Sequence, residues 1–231
     1  MTAEPAGASG SVGAAGPAGA VGSEGAGSAG AGSAAAAEGL VASRPDRTRV
    51  PHLVVIDPQA IFADPGSDWA SPVFAEAFAR IREIAPLFDD RITVTRWLPT
   101  ADRSTAWGDY FRQWPFADVG ADDPLYALVD GAAELSAQPP VDAPTFGKWG
   151  AELAARTGTD AHLVLTGVST DCCVISTALA AADAGMQVSV VTDACAASSA
   201  ENGRAALHVM GLYAPQIELA STAGVREMLG G

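Results

Sequence analysis

Lysine is almost missing from this chain: of its 13 basic residues only Lys148 is a lysine, and the rest are arginines. Those arginines are scattered rather than clustered, and the formal charge is −14. Both facts exclude a partner recognised through its phosphate backbone, which needs a basic patch. Histidine is also scarce. His52, His162 and His208 begin strands or lie in a helix, and no two have the spacing of metal ligands, so surface or capping roles are expected for them. The three cysteines, Cys172, Cys173 and Cys195, are an odd number, which argues against a disulfide framework and for free thiols. No window approaches the roughly 20 consecutive apolar residues of a membrane span. The first residues lack the basic start and Leu/Val-rich run of a secretory signal, so export is not expected and a cytoplasmic location is.

What is present falls into two unequal parts. Residues 1–45 are nearly all Ala, Gly, Ser and Pro, without an aromatic. Such a composition cannot bury enough apolar surface to offset its ordering entropy, and disorder is expected there. Residues 46–231 are then expected to form a single domain.

Within that domain, short apolar β-rich runs alternate with helical ones. Leu53–Ile56, Ile92–Thr95, Leu163–Leu165 and Val188–Val191 read as buried strands. Pro72–Phe88, Lys148–Thr157, Asp171–Ala184 and Ser199–Leu212 read as helices. The alternation predicts an α/β fold, a three-layer αβα architecture around a mostly parallel sheet, with ligands beyond the carboxyl ends of the strands. The stretch Leu98–Pro144 is too long for a simple connection. It carries Trp107, Tyr110, Phe111, Trp114, Phe116 and Tyr126, which fit either a satellite core or the walls of a pocket.

The richest segment is HLVLTGVSTDCCVISTALAAADAG, His162 to Gly185. It reads as strand, tight turn and helix, with Cys173 in the first helical turn. Exposed N–H groups and the helix dipole favour an anion there, which is a nucleophile's position. Cys172 points about 100° away around the helix, and geometry does not choose between the two; small buried hydrophobes are the plainer reading of such a pair. Asp57, in LVVIDPQAIF, lies at the end of the first strand, where a carboxylate serves either the crevice or an Asx turn before Pro58. Lys148, in PTFGKWG, lies on the same side. One cation, one carboxylate and one thiol thus converge.

Here the segment GVSTDCCV resembles the Gly-x-x-Thr-Asp-x-Cys-Val signature of the isochorismatase-like cysteine hydrolases, which include nicotinamidases. Asp57, Gln59 and Phe62 resemble the family's Asp-x-Gln-x-x-Phe, and Lys148 its lysine before a helix. The resemblance runs from about Arg49 to Gly224. It implies Cys173 rather than Cys172 as nucleophile, Asp57 as proton acceptor and donor, and Lys148 as the group that stabilises the thiolate. It further implies a cis peptide between Val168 and Ser169, with the N–H groups of Ser169 and Cys173 facing a developing oxyanion. Homodimers or homotetramers are common in the family. A small-molecule amide is the implied substrate, and no cofactor is required.

The chain departs from the nicotinamidase pattern after the second strand. That branch carries an Asp-x-His-x-x-His metal run, whereas Thr95–Ser104 reads TRWLPTADRS. No catalytic zinc is expected, and nicotinamide loses its usual anchor. Phe62, Trp97 and Trp149 become candidates to hold the substrate, and Asp102 and Asp109 to favour a cationic one. Isochorismate cleavage, a vinyl-ether hydrolysis within the same family, does not require a cysteine, so Cys173 favours amide hydrolysis. A non-catalytic binding protein and a thiol redox sensor are the readings from other classes.

Overall fold

The computed structural model describes residues 49–230, so the disorder expected over residues 1–45 lies outside the described residues. Six strands form one sheet: β1 (Pro51–Ile56), β2 (Ile92–Trp97), β3 (Val141–Ala143), β4 (His162–Val168), β5 (Gln187–Ala196) and β6 (Ile217–Ala220). Their order is β3-β2-β1-β4-β5-β6, and every pairing is parallel. The order reverses between β1 and β4, which opens a crevice at the carboxyl ends of those two strands.

Alternate residues of the strands supply two cores. Val54, Ile56, Leu163, Leu165, Val188 and Val190 pack with α4 (Ala151–Thr157), α5 (Ile175–Asp183) and α6 (Ala200–Gly211) on one face. Leu53, Val55, Val94 and Val164 pack on the other with α2 (Phe74–Ile84) and α7 (Thr222–Leu229). Near-continuous apolar strands covered on both sides give the three-layer architecture read from the sequence.

The boundaries differ where local chemistry overrides pattern. The helix read from Lys148 begins at Ala151, because Gly150 is extended (φ −179°) and serves as its N-cap. The helix read from Asp171 is a wide π turn over Thr170–Val174 followed by α5. Strands β3 and β6 and helix α7 were not legible as elements. β3 has three residues, β6 has four, and the β6 burial pattern does not alternate cleanly. His52 and His162 are not surface residues: both are buried, and their rings hydrogen-bond Thr93 (2.9 Å) and Ser189 (2.8 Å). Burial, aided by Arg91 for one and Arg49 for the other, lowers each imidazole to about 4.

The 98–144 stretch carries α3 (Ala106–Gln113) and three short 3-10 turns. Its Phe111, Ala117 and Tyr126 form a third apolar cluster with Phe62, Phe74, Trp97 and Val168, which joins the stretch to the sheet. One buried side chain anchors it. The Gln59 amide donates to the carbonyls of Trp97 (3.0 Å) and Tyr126 (2.9 Å), and its oxygen accepts the Trp97 N–H (2.7 Å).

Candidate active site

Asp57 leaves the end of β1 with a positive φ of 48°, a conformation uncommon outside glycine and better tolerated by Asp than by most residues. The bend turns its carboxylate into the protein, where it is 0% exposed. The Thr95 hydroxyl donates to Asp57 Oδ1 (2.7 Å) and accepts the Asp57 N–H (3.2 Å). Oδ2 receives no hydrogen bond and faces the Lys148 ammonium at 3.0 Å, both side chains being wholly buried. Lys148 Nζ donates instead to the Thr145 carbonyl at 2.6 Å. A buried carboxylate oxygen held by charge alone keeps its lone pairs available for a proton.

Cys173 arrives from the other half of the sheet. Gly167, near the end of β4, has φ +106°, and a Cβ there would lie 2.1 Å from the Ile56 carbonyl oxygen. Only glycine lets β4 pass β1 this closely. The Val168–Ser169 peptide that follows is cis, as the sequence resemblance implies. The π turn then places Cys173 inside, 3% exposed, at the head of α5. Such turns recur at functional positions in helices. Interaction with the Cys172 thiol, burial and the Asp57 charge raise the Cys173 thiol, while Lys148 opposes them. Cys172, half-buried, is lowered, first by the same interaction. The buried member therefore keeps its proton at rest, beside a carboxylate able to take it.

The arrangement presents a thiol, a proton acceptor and a fixed cation at the sheet's switch point. An Isochorismatase domain profile matches residues 51–221. The chain belongs to the isochorismatase family.

Solved structures share the family fold. A cysteine hydrolase from Pseudomonas syringae pv. phaseolicola 1448A has a TM-score of 0.64 at 20% identity, covering 78% of this chain and 92% of its own. The pyrazinamidase of Pyrococcus horikoshii in complex with zinc gives 0.56 at 22%, covering 74% and 98%. The N-carbamoylsarcosine amidase from Thermoplasma acidophilum gives 0.57 at 19%, covering 75% and 96%. At these identities the likeness is one of fold. No curated protein matches the chain in a sequence comparison.

The zinc of the pyrazinamidase finds no fitting donor set here. Among the described residues no group of three or more His, Cys, Asp or Glu side chains could hold a metal ion. His52 and His162 belong to the first turns of their strands and are engaged with hydroxyls.

Of the residues singled out for substrate, Phe62 and Trp97 are 6% and 2% exposed. Trp97 is enclosed by the rings of Trp69, Trp107, Phe111 and Tyr126, at 5.5 to 6.2 Å. It buttresses a wall rather than forming its surface. Trp149 is half-buried against the core that contains Cys173. Asp102 and Asp109 are exposed, Asp102 capping Ser104 and Asp109 paired with Arg112.

Sequence reasoning passed over the wall itself. Tyr110 of α3 lies 5.5 Å from Trp69, 5.5 Å from Trp107 and 5.6 Å from Phe146, ring centre to centre. Burial and the neighbouring Cys172 and Cys173 raise its phenol, so it stays a neutral hydroxyl. Among the described residues that hydroxyl makes no hydrogen bond. The aromatic richness of the insertion was visible in the sequence, but nothing marked which ring faces the thiols. Thr95 and Thr177 gave no signal either, since their hydroxyls matter only through partners distant in sequence.

Proposed function

We propose that the protein is a cysteine amidohydrolase that cleaves a carbon–nitrogen bond of a small molecule. The observation that carries this reading is the fully buried Lys148–Asp57 pair at 3.0 Å, set beside a buried thiol. Burying two charges costs several kcal/mol per ion before their attraction returns it, so a fold keeps such a pair at a crevice for a task.

Asp57 Oδ2 accepts the Cys173 proton as the sulfur adds to the substrate carbonyl, and Lys148 balances the charge that develops. The oxyanion of the tetrahedral intermediate is met by the N–H groups of Ser169 and Cys173. Asp57 returns the proton to the nitrogen, the C–N bond breaks, and an amine or ammonia leaves a thioester on Cys173. Water then adds to the thioester, giving up its proton through Asp57, and expulsion of the thiol releases the carboxylic acid. One water is consumed and no electrons are exchanged.

Trp149 and the Tyr110–Phe146 wall hold the acyl portion, with Phe62 and Trp97 packed behind. A homodimeric or homotetrameric assembly and a cytoplasmic location belong to the same reading; light scattering on the purified protein tests the former. Among the described residues no helix is long and apolar enough to cross a membrane. The activity is tested by offering primary amides, lactams and ureido compounds to the protein and to Cys173→Ala, following ammonia or amine. Release that disappears with the variant is expected. No turnover across the panel, with Cys173 also unreactive to iodoacetamide, overturns the reading.

A further inference from the structure

Thr177 lies on the first turn of α5 and is 0% exposed. Its hydroxyl donates to the Cys173 carbonyl at 2.7 Å. Alone, that bond is the ordinary back-bond of a threonine in a helix to the residue four positions earlier. The same oxygen, however, accepts the Lys148 N–H at 2.9 Å, from a residue 29 positions away. One hydroxyl therefore joins the backbones of the thiol residue and the lysine residue.

A second observation supports the contact. Gly147 lies flush against the head of α5: a Cβ there would meet the Ser176 carbonyl oxygen at 3.2 Å. The 147–148 segment is thus laid on the turn that carries Cys173, and Thr177 pins it there. With its backbone fixed at Thr177, the Lys148 side chain reaches Thr145 (2.6 Å) and Asp57 (3.0 Å).

We propose that Thr177 is a positioning residue, whose hydroxyl sets the Lys148 ammonium relative to Asp57 and the Cys173 sulfur. The inference rests on the reading of those three residues as the reacting group. Thr177 touches no reacting atom. It acts through the placement of Lys148, and loss of its hydroxyl lets the 147–148 segment drift from α5 and weakens the attraction between cation and thiolate.

The test uses Thr177→Val and Thr177→Ala, which both remove the hydroxyl but differ in the space they leave, and Thr177→Ser, which keeps it. Alkylation of Cys173 by iodoacetamide is followed across pH in the full chain, with Cys172 and Cys173 resolved by mass spectrometry. The midpoint for Cys173 is expected to rise by about one pH unit in both hydroxyl-free variants and to return in Thr177→Ser. On an amide that the wild type turns over, kcat falls about tenfold or more in the same two variants with little change in KM. An unshifted midpoint in folded Thr177→Val or Thr177→Ala overturns the proposal, as does a Thr177→Ser variant as impaired as the other two. Alkylation needs no substrate, so an enzyme that hydrolyses none of the amides still answers the question about Thr177. Conversely, a shifted midpoint without turnover in the wild type counts against amide hydrolysis alone.

Discussion

Removing one charge from the Lys148–Asp57 pair should be costly far beyond the loss of a surface ion pair. In Lys148→Met the aliphatic stem is largely replaced, but Asp57 is left wholly buried with only Thr95 donating to its carboxylate. An uncompensated buried charge of this kind costs about 3–5 kcal/mol. For a domain of this size each kcal/mol lowers Tm by about 2–4 °C, so a drop of about 6–20 °C is expected. Asp57→Asn strands the ammonium in the same way, with Thr145 as its remaining acceptor. The double variant removes both charges, and it should recover at least about 2 kcal/mol relative to the sum of the singles. Urea denaturation at neutral pH with a common m-value, supported by calorimetry, provides the three free energies. A single variant costing less than about 1 kcal/mol, the range of exposed pairs, would refute the reasoning. In the same proteins Asp57→Asn should lower kcat by about 10²–10⁴-fold, the usual contribution of a general acid–base group.

Gly167→Ala places a Cβ 2.1 Å from the Ile56 carbonyl oxygen at φ +106°, and a loss of at least about 2 kcal/mol in urea denaturation is expected; a neutral outcome would mean that β1 and β4 do not approach as described. His52 and His162 have folded-state values of about 4 against 6.5 unfolded. Between those values the unfolded chain binds more protons, so stability is full above pH 6.5 and falls as the pH drops towards 4. The slope approaches about 1.4 kcal/mol per pH unit for each histidine, and replacing both by Gln should flatten it in acid denaturation series. Tyr110→Phe removes one unengaged hydroxyl and no wall area, and should raise KM about 5- to 10-fold for a substrate that bonds it, with kcat nearly unchanged; equal kinetics for every amide turned over would remove Tyr110 from recognition.

The sheet was legible because its strands are unbroken runs of β-branched and aliphatic residues flanked by helical spacing, a pattern that parallel burial imposes. Asp57, Lys148 and Cys173 were legible because each follows such a run or opens the helix after it, and because their order matches a known signature. What escaped notice depends on distance along the chain. The β3 and β6 edge strands are too short to carry a period, and the burial of His52 and His162 follows from hydroxyls on the neighbouring strands β2 and β5. Lys148 reads as helical by composition, yet its N–H is claimed by Thr177 and the helix waits for Gly150. Among the aromatics of the 98–144 stretch, most are satellite core, and only the packing of Phe146 against Tyr110 and Trp107 separates wall from buttress.

The Gln59 amide acts as a socket. It presents one acceptor and two donors to whatever follows β2, and only main-chain groups, from Trp97 and Tyr126, occupy them. A replacement for the 98–144 stretch therefore needs no particular side chain at the joint, only a carbonyl brought to the place of the Tyr126 carbonyl and an apolar surface that fits Phe62 and Phe74. The body of the domain, with its thiol, carboxylate and ammonium, would remain as it is while the recognition surface is exchanged, so grafted loops of unrelated sequence offer a direct way to give this scaffold a different substrate.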